Sequence, residues 1–250
     1  MTEAYDAAEM MAVAMARLVK NGKLTFVGVN SPLPFVAVML AKRLHAPDAI
    51  FVSISGGIDP SPSVLSATTS SASLAAGSAS VFDNQDFYGL NGRGGIDTTF
   101  LGMGQVDVLG HVNSSVIGTL AAPRVRLPGG GGGPAIMPSA REVILWRAGH
   151  SRKIFVEKVD FVTSAGNVSR VVTPLCVFRM AAGRLALDSI HPGVARDELA
   201  ARTGFAIANL DAAPVTPEPT ARELAVLREI DRGGVRYAEF PGHRAPEKRP

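Results

Sequence analysis

The chain has 250 residues, 46% hydrophobic and 19% charged, with a formal net charge of +3 at pH 7. That length holds one ordinary α/β domain or two small ones, and the balance excludes a disordered or coiled-coil chain. The mild positive excess suits an anionic ligand such as a phosphorylated cofactor but makes no nucleic-acid footprint, and the single Cys176 excludes an intrachain disulfide and a CxxC metal site.

Residues 6–20 read as a helix, with Met11, Ala14, Met15 and Leu18 on one face and Asn21-Gly22 as its stop. Acids precede its apolar part and Arg17 and Lys20 interrupt it, unlike a secretory signal, and no run nears the ~20 apolar residues that span a bilayer. A cytoplasmic location is therefore expected. "KLTFVGVN" (23–30) is a strand, Ser31-Pro32 opens a helix through about Leu44, and "APDAIFVS" (46–53) gives a turn and a second strand. Strand, helix, strand with short loops is a βαβ unit, which predicts a parallel sheet with ligands beyond the carboxyl ends of its strands. At one such end lies "SISGGIDPSPS" (53–63), where Ser55, Gly56 and Gly57 suit the close approach of a substrate.

Residues 61–80 are almost wholly small, which fits either a linker or one or two closely packed helices; Val64, Leu65 and Leu74 favour packing. "TTFLGMGQVDVLGHVNSSVIG" (98–118) alternates β-like pieces with glycine turns, and "EVILWRAG" and "KIFVEKVDFVTS" read as further strands. "RVVTPLCVFRM" and "RLALDSIHPG" form a hairpin turning at Ala181–Gly183, and "ARDELAARTGFAI" gives a short helix followed by a turn and strand. An amphipathic helix at about 219–232 precedes a tail expected to fray.

Gly129 to Gly133 are five consecutive glycines between Pro128 and Pro134. Such a run loses the most conformational entropy on ordering, so a folded domain keeps it where side chains would obstruct. Its bare N–H groups could face an anion or a developing oxyanion, or the run could be a surface linker; apolar flanks favour an ordered loop. It is not a P-loop, since no Gly-Lys-Ser/Thr follows. In "GMGQVDVLGHVN", Gln105, Asp107, His111 and Asn113 could bond a substrate carbonyl or carboxylate, or Asp107 and Asn113 could satisfy the backbone of a tight turn. HExxH, GxSxG and a GxGxxG after the first strand are absent, and the five histidines have no metal-ligand spacing. Glu157 and Asp160 lie three apart on an expected strand and face opposite sides, so they are not a carboxylate pair. His191 in "HPG" reads as a structural turn residue.

Taken in order, "FVGVNSPLPFVAVMLAKRLHAPD", "SISGG", "FLGMGQVDVLGHVNSSVIG", "RLPGGGGGPAI", "RKIFVEKVDFVTSAGN" and "DSIHPGVARDELAARTGF" resemble the β subunit of family I CoA-transferases of the glutaconate and 3-oxoacid type. The resemblance covers about residues 6–210. It implies an open α/β fold, mostly parallel and flanked by helices, over residues 1–213, with a C-terminal helix and tail over 214–250. It further implies an α subunit as partner, a coenzyme A thioester as substrate rather than a permanently bound cofactor, and no role for nucleic acid, membrane or metal. In that family a β-subunit glutamate directly before Ser-Gly or Asn-Gly attacks the thioester. Here the sequence reads Ile54-Ser55-Gly56, and isoleucine cannot form the acyl anhydride. Asp59, five residues on, is shorter and displaced along the loop. The resemblance thus leaves this chain without a catalytic residue of its own, with Ser55, Gly56, Gln105, Asp107, Asn113 and Gly129 to Gly133 as substrate- and CoA-contacting candidates. Three functions follow from it: an acyl-CoA hydrolase or C–C-cleaving enzyme whose acid lies on the α subunit, a CoA-transferase with a nucleophile from elsewhere, or a non-catalytic scaffold.

Overall fold

In the computed structural model of the protein, which describes residues 4–240 and Gly242, helix α1 (Ala7–Ala16) starts on a capping box. The Asp6 carboxylate accepts the Glu9 N–H at 2.9 Å and Glu9 accepts the Asp6 N–H at 3.4 Å, satisfying two donors that a helix start leaves open. Strand β1 (Leu24–Val27) follows, then α2 (Pro32–Leu44), with proline in its first turn where a missing N–H costs nothing, and β2 (Ile50–Ser53). β1 and β2 are parallel, with Leu24 to Val27 opposite Ile50 to Ser53, so the predicted βαβ unit is present. Two short antiparallel strands, β3 (Gly57–Ile58) and β4 (Ser80–Val81), extend the β2 side. Helix α3 (Asn84–Gly92) leads to β5 (Thr98–Gly102), which pairs with β1 in parallel on its other side. Phe51 on β2 is fully buried against Phe35 of α2, ring centroids 5.5 Å apart, and such a side chain contributes about 1.5–3 kcal/mol by leaving water.

From here the chain builds a second set of elements. Strands β6 (Gln105–Asp107) and β7 (Val112–Asn113) form a tight hairpin, and β8 (Val116–Gly118) pairs with β9 (Pro123–Arg126) in another. The glycine run enters α4 (Gly133–Ser139), followed by β10 (Glu142–Trp146), the two-residue β11 (Phe155–Val156) beside β6, and β12 (Val168–Val172), parallel to β10. β13 (Cys176–Ala181) and β14 (Arg184–Ile190) are the expected hairpin, turning through Ala182 and Gly183, both with positive φ. That pair of conformations matches the right-handed twist of the flanking strands. After α5 (Arg196–Arg202) the expected strand is reduced to isolated bridges of Gly204 to Val156 and Val215 to Ile190. Helix α6 (Ala221–Ile230), on a second capping box from Thr220 and Glu223, is the predicted amphipathic helix.

By packing, these elements fall into two units. One holds the residues up to Leu90, Gly95–Phe100 and those from Glu218 onward, and the other holds Asn91–Gly94 and Leu101–Pro217. Within the first unit, parallel β5-β1-β2 gains antiparallel β3 and β4 at its edge; within the second, parallel β10-β12 gains antiparallel β13 and β14. Parallel strands flanked by helices, as predicted, form the centre of each unit. The C-terminal helix belongs with α1: Arg228 clamps Glu9 through two nitrogens at 2.8 and 2.9 Å, and Arg236 reaches the same carboxylate at 3.3 Å. This explains why α1 is buried at every residue from Ala8 to Ala16, where its periodicity predicted one buried face: α2 and α6 both pack against it. The expected frayed tail lies outside the described residues apart from Gly242.

Candidate functional site

At the carboxyl end of β2 the chain turns through Ile54, Ser55 and Gly56, closed by the Gly56 N–H donating to Ser53 O at 3.0 Å. Ile54 is half-buried in this turn. The Ser55 hydroxyl pairs with that of Ser53 at 2.7 Å. The small residues answer to the chain's own packing. A Cβ on Gly56, which has φ +92°, would lie 2.8 Å from Phe82 O, and one on Gly57 would strike the Ser78 hydroxyl. Residues 78–82 of the chain itself therefore already require glycine at these two positions. Asp59 is committed elsewhere: Lys42 Nζ donates to it at 2.7 Å and the Phe51 N–H at 3.3 Å. Residues 61–80 are ordered by local hydroxyl–backbone turns and one 3₁₀ turn (Ala72–Ala75) that buries Leu74, rather than by the expected helices. Thr69 ties this segment to the end of β1 by donating to Gly28 O at 3.1 Å.

In the second unit the polar patch is saturated internally. The Asn113 amide donates to Gln105 Oε1 at 2.9 Å and to Val116 O at 2.7 Å, while its oxygen accepts from the Ser115 and Val116 N–H groups. Gln105 donates its amide to Lys153 O at 2.8 Å. Asp107, 1% exposed, accepts the N–H groups of Leu109 and His111 at 3.0 Å each and pairs with His111 Nδ1 at 3.2 Å. Of the two readings open for these side chains, the geometry favours turn building: they fix the β6–β7 hairpin, with only the His111 ring part-exposed.

That hairpin holds the glycine run. The Gly129 N–H donates to Ser114 O at 2.6 Å, and the Gly133 N–H turns back to Gly130 O at 2.8 Å. A Cβ on Gly130 would meet the Thr163 methyl at 2.7 Å, and one on Gly133 the Ser164 hydroxyl at 2.9 Å. Thr163 in turn accepts the Ser114 N–H at 2.9 Å and pairs with the Ser115 hydroxyl at 2.7 Å. The run is thus an ordered loop, packed on Thr163 and Ser164, which sequence reasoning did not single out despite their place in "KVDFVTSAGN". The N–H groups of Gly130, Gly131 and Gly132 make no hydrogen bond with any described residue. Gly131 is left-handed at φ +51° and Gly132 right-handed at φ −77°, an alternation that turns successive N–H groups toward one concavity.

Two buried histidines are structural. His150 places its ring nitrogens 3.0 Å from the hydroxyls of Thr173 and Thr203, and burial, then the Arg202 charge, lowers its pKa to about 3. His191 sits between Thr216 Oγ1 at 2.9 Å and Thr173 O at 3.0 Å, its pKa lowered to about 4 by burial. Burial pushes the Cys176 thiol up to about 12, which makes it inert. Glu157 and Asp160 face different arginines, Arg184 and Arg124. Among the described residues no group of three His, Cys, Asp or Glu is placed to hold a metal ion, and no helix is long and apolar enough to cross a membrane.

Parallel strands with an apolar turn at their carboxyl ends, and a polyglycine loop with three open donors, agree with what the chain's sequence matches. Residues 8–202 match the coenzyme A transferase family, and the chain belongs to it. It is 37% identical to one of the subunits of the 3-oxoadipate CoA-transferase of Pseudomonas knackmussii, over 91% of this chain and 94% of that one. It is 32% identical to the IpdB component of the cholesterol ring-cleaving hydrolase of Rhodococcus jostii, over 52% of this chain and 57% of that one. The decarboxylase AibA/AibB has a chain that superposes on it with a TM-score of 0.87 at 30% identity, covering 94% of this chain and 98% of that one. The family and the transferase and hydrolase relatives are what the sequence resemblance implied; a decarboxylase among the relatives adds a reaction that it did not name.

Proposed function

We propose that this chain is the β-type subunit of a two-subunit enzyme that acts on an acyl-CoA thioester by hydrolysis or C–C cleavage, with the reactive carboxylate on the partner subunit. The observation that carries this reading is the turn after β2. Its half-buried Ile54 offers no nucleophile, and the nearest acid along the loop, Asp59, is held by Lys42 at 2.7 Å. In this reading Ile54, Ser55 and Gly56 form the apolar floor beneath the acyl group. For hydrolysis, a partner carboxylate takes a proton from water, whose oxygen adds to the thioester carbonyl; the adduct then collapses with cleavage of the C–S bond, and the proton held by the carboxyl passes to the departing CoA thiolate. The free N–H groups of Gly130 to Gly132, in the second unit, offer donors to an anionic oxygen of the CoA thioester, and donors of this kind are worth about 10²–10³-fold in rate each where they meet a developing oxyanion. Gln105, Asp107 and Asn113 support the loop from beneath. The relatives named as a ring-cleaving hydrolase and a decarboxylase support chemistry other than CoA exchange.

The 37% identity to a CoA-transferase component favours a second reading, transfer with a nucleophile from elsewhere. Product analysis on the purified two-subunit assembly separates the two. Release of free CoA, or of an acyl-CoA product cleaved at a C–C bond, with no acceptor acid present supports the first, whereas turnover that needs an acceptor acid and gives a hydroxylamine-sensitive enzyme thioester establishes the second. In Ile54→Glu, gain of such an adduct is expected if the floor retains thioester geometry.

A further inference from the structure

Val29 is 55% exposed, although it follows a strand whose Phe26 and Val27 are buried. Its exposure is built rather than loose. The preceding Gly28 donates its N–H to Phe100 O at 2.9 Å and accepts from the buried Thr69 hydroxyl at 3.1 Å. The buried Ser31 hydroxyl donates to Val29 O at 3.5 Å, and Asn30 between them takes φ +52°, a left-handed conformation unusual for a residue with a side chain. Val27 and Ser53 are paired in register, so Val29 and Ile54 emerge at the same end of adjacent strands, which run about 4.8 Å apart. Each of the two loops thus presents one apolar side chain at the end where an open α/β sheet takes its ligand.

The charge around them is one-sided. Residues 24–41 and 46–92 contain no Lys, Arg or His, so the loops after β1 and β2 carry no cation. Lys23 precedes β1 at its opposite end, and the ammonium of Lys42 is spent on Asp59 and Ala49 O. A carboxylate brought to this apolar mouth would lose water without gaining a counter-charge from either loop. We propose that Val29, together with Ile54, is a specificity determinant that selects CoA thioesters with an uncharged, apolar acyl group and rejects those ending in a second carboxylate. This inference rests on the thioester reading above.

The test uses the purified two-subunit assembly and thioether analogues of matched length, which cannot turn over: S-hexyl-CoA and S-carboxypentyl-CoA, with free CoA as reference, by isothermal titration. The wild type is expected to bind S-hexyl-CoA tighter than S-carboxypentyl-CoA by on the order of 10- to 100-fold. Val29→Arg should close or invert that ratio while leaving the affinity for free CoA unchanged. Val29→Ser, a smaller change should the arginine disturb folding, should weaken S-hexyl-CoA alone. Equal or reversed preference in the wild type, or an unchanged ratio in both variants, overturns the inference but leaves the thioester reading standing. Failure of free CoA and both analogues to bind brings down both.

Discussion

Acid should destabilise the second unit in a way that can be counted proton by proton. His150 and His191 are neutral inside it, with pKa values lowered to about 3 and about 4, whereas an unfolded histidine titrates near ~6.5. As pH falls below that unfolded value, the unfolded chain binds protons that the folded chain refuses. Stability therefore declines from about pH 6.5 down to the folded values, and is fully present above that window. Each ring then removes about 2 kcal/mol between about pH 7.5 and pH 5, or about 4 kcal/mol together, with a limiting slope of ~1.4 kcal/mol per pH unit per ring. Urea unfolding of the chain, followed by fluorescence of Trp146, reads this directly, since that sole tryptophan is buried in the same unit. His150→Gln should halve the slope near pH 5.5, whatever it does to absolute stability. A wild-type stability that is flat between pH 7.5 and 5 would refute the argument from burial.

Three further outcomes follow from the geometry. Gly131→Val meets open space but must adopt φ +51°, so it should cost about 1–2 kcal/mol of stability, yet lower thioester turnover by ~10²-fold as the open N–H groups are displaced; near-wild-type turnover would show the loop to be a bystander. Asp59→Asn should leave turnover intact and cost at most about 1 kcal/mol in unfolding, because it removes only a part-exposed ion pair. Loss of turnover there would make Asp59 the missing acid. Glu9→Ala removes the buried carboxylate that Arg228 and Arg236 share, while Arg236 keeps Asp231 at 2.9 Å and Arg228 keeps Ala4 O, so unfolding should become easier by about 1.5–3 kcal/mol and limited proteolysis should cut first between Glu218 and Tyr237.

The parts of the fold that were legible in the sequence are those with local causes. The hairpin at Ala181–Gly183 needed only two residues at positive φ, and the βαβ unit only a proline-led helix between short apolar strands. Helix α3 had no such signature: "NQDFYGLNG" shows no apolar period, and it is anchored by burial of Phe87 against Phe26 at 4.5 Å. "KIFVEKVDFVTS" alternates like a strand, but only Phe155 and Val156 form one, and Ser164 adds a single bridge to Val112. The Val159 N–H goes to the Asp107 carboxylate and the Thr163 N–H to Val112 O, partners far away in sequence. At the site, the glycine run announced itself by composition. That Asp107 and Asn113 would exhaust their hydrogen bonds inside a hairpin could not be read from residue type, because the same side chains at the same spacing serve a ligand equally well. Val29 carried no signal at all, since an exposed valine is ordinary until its loop is seen to be fastened on both sides.

In the proposed enzyme this chain cradles the thioester while another chain supplies the acid. Intact-mass spectrometry of both subunits, quenched during steady-state turnover of an acyl-CoA, tests it most directly. This chain should keep its unmodified mass while free CoA or a C–C-cleaved acyl-CoA accumulates. A CoA or acyl increment on this chain, mapped to any of its own carboxylates, would contradict it.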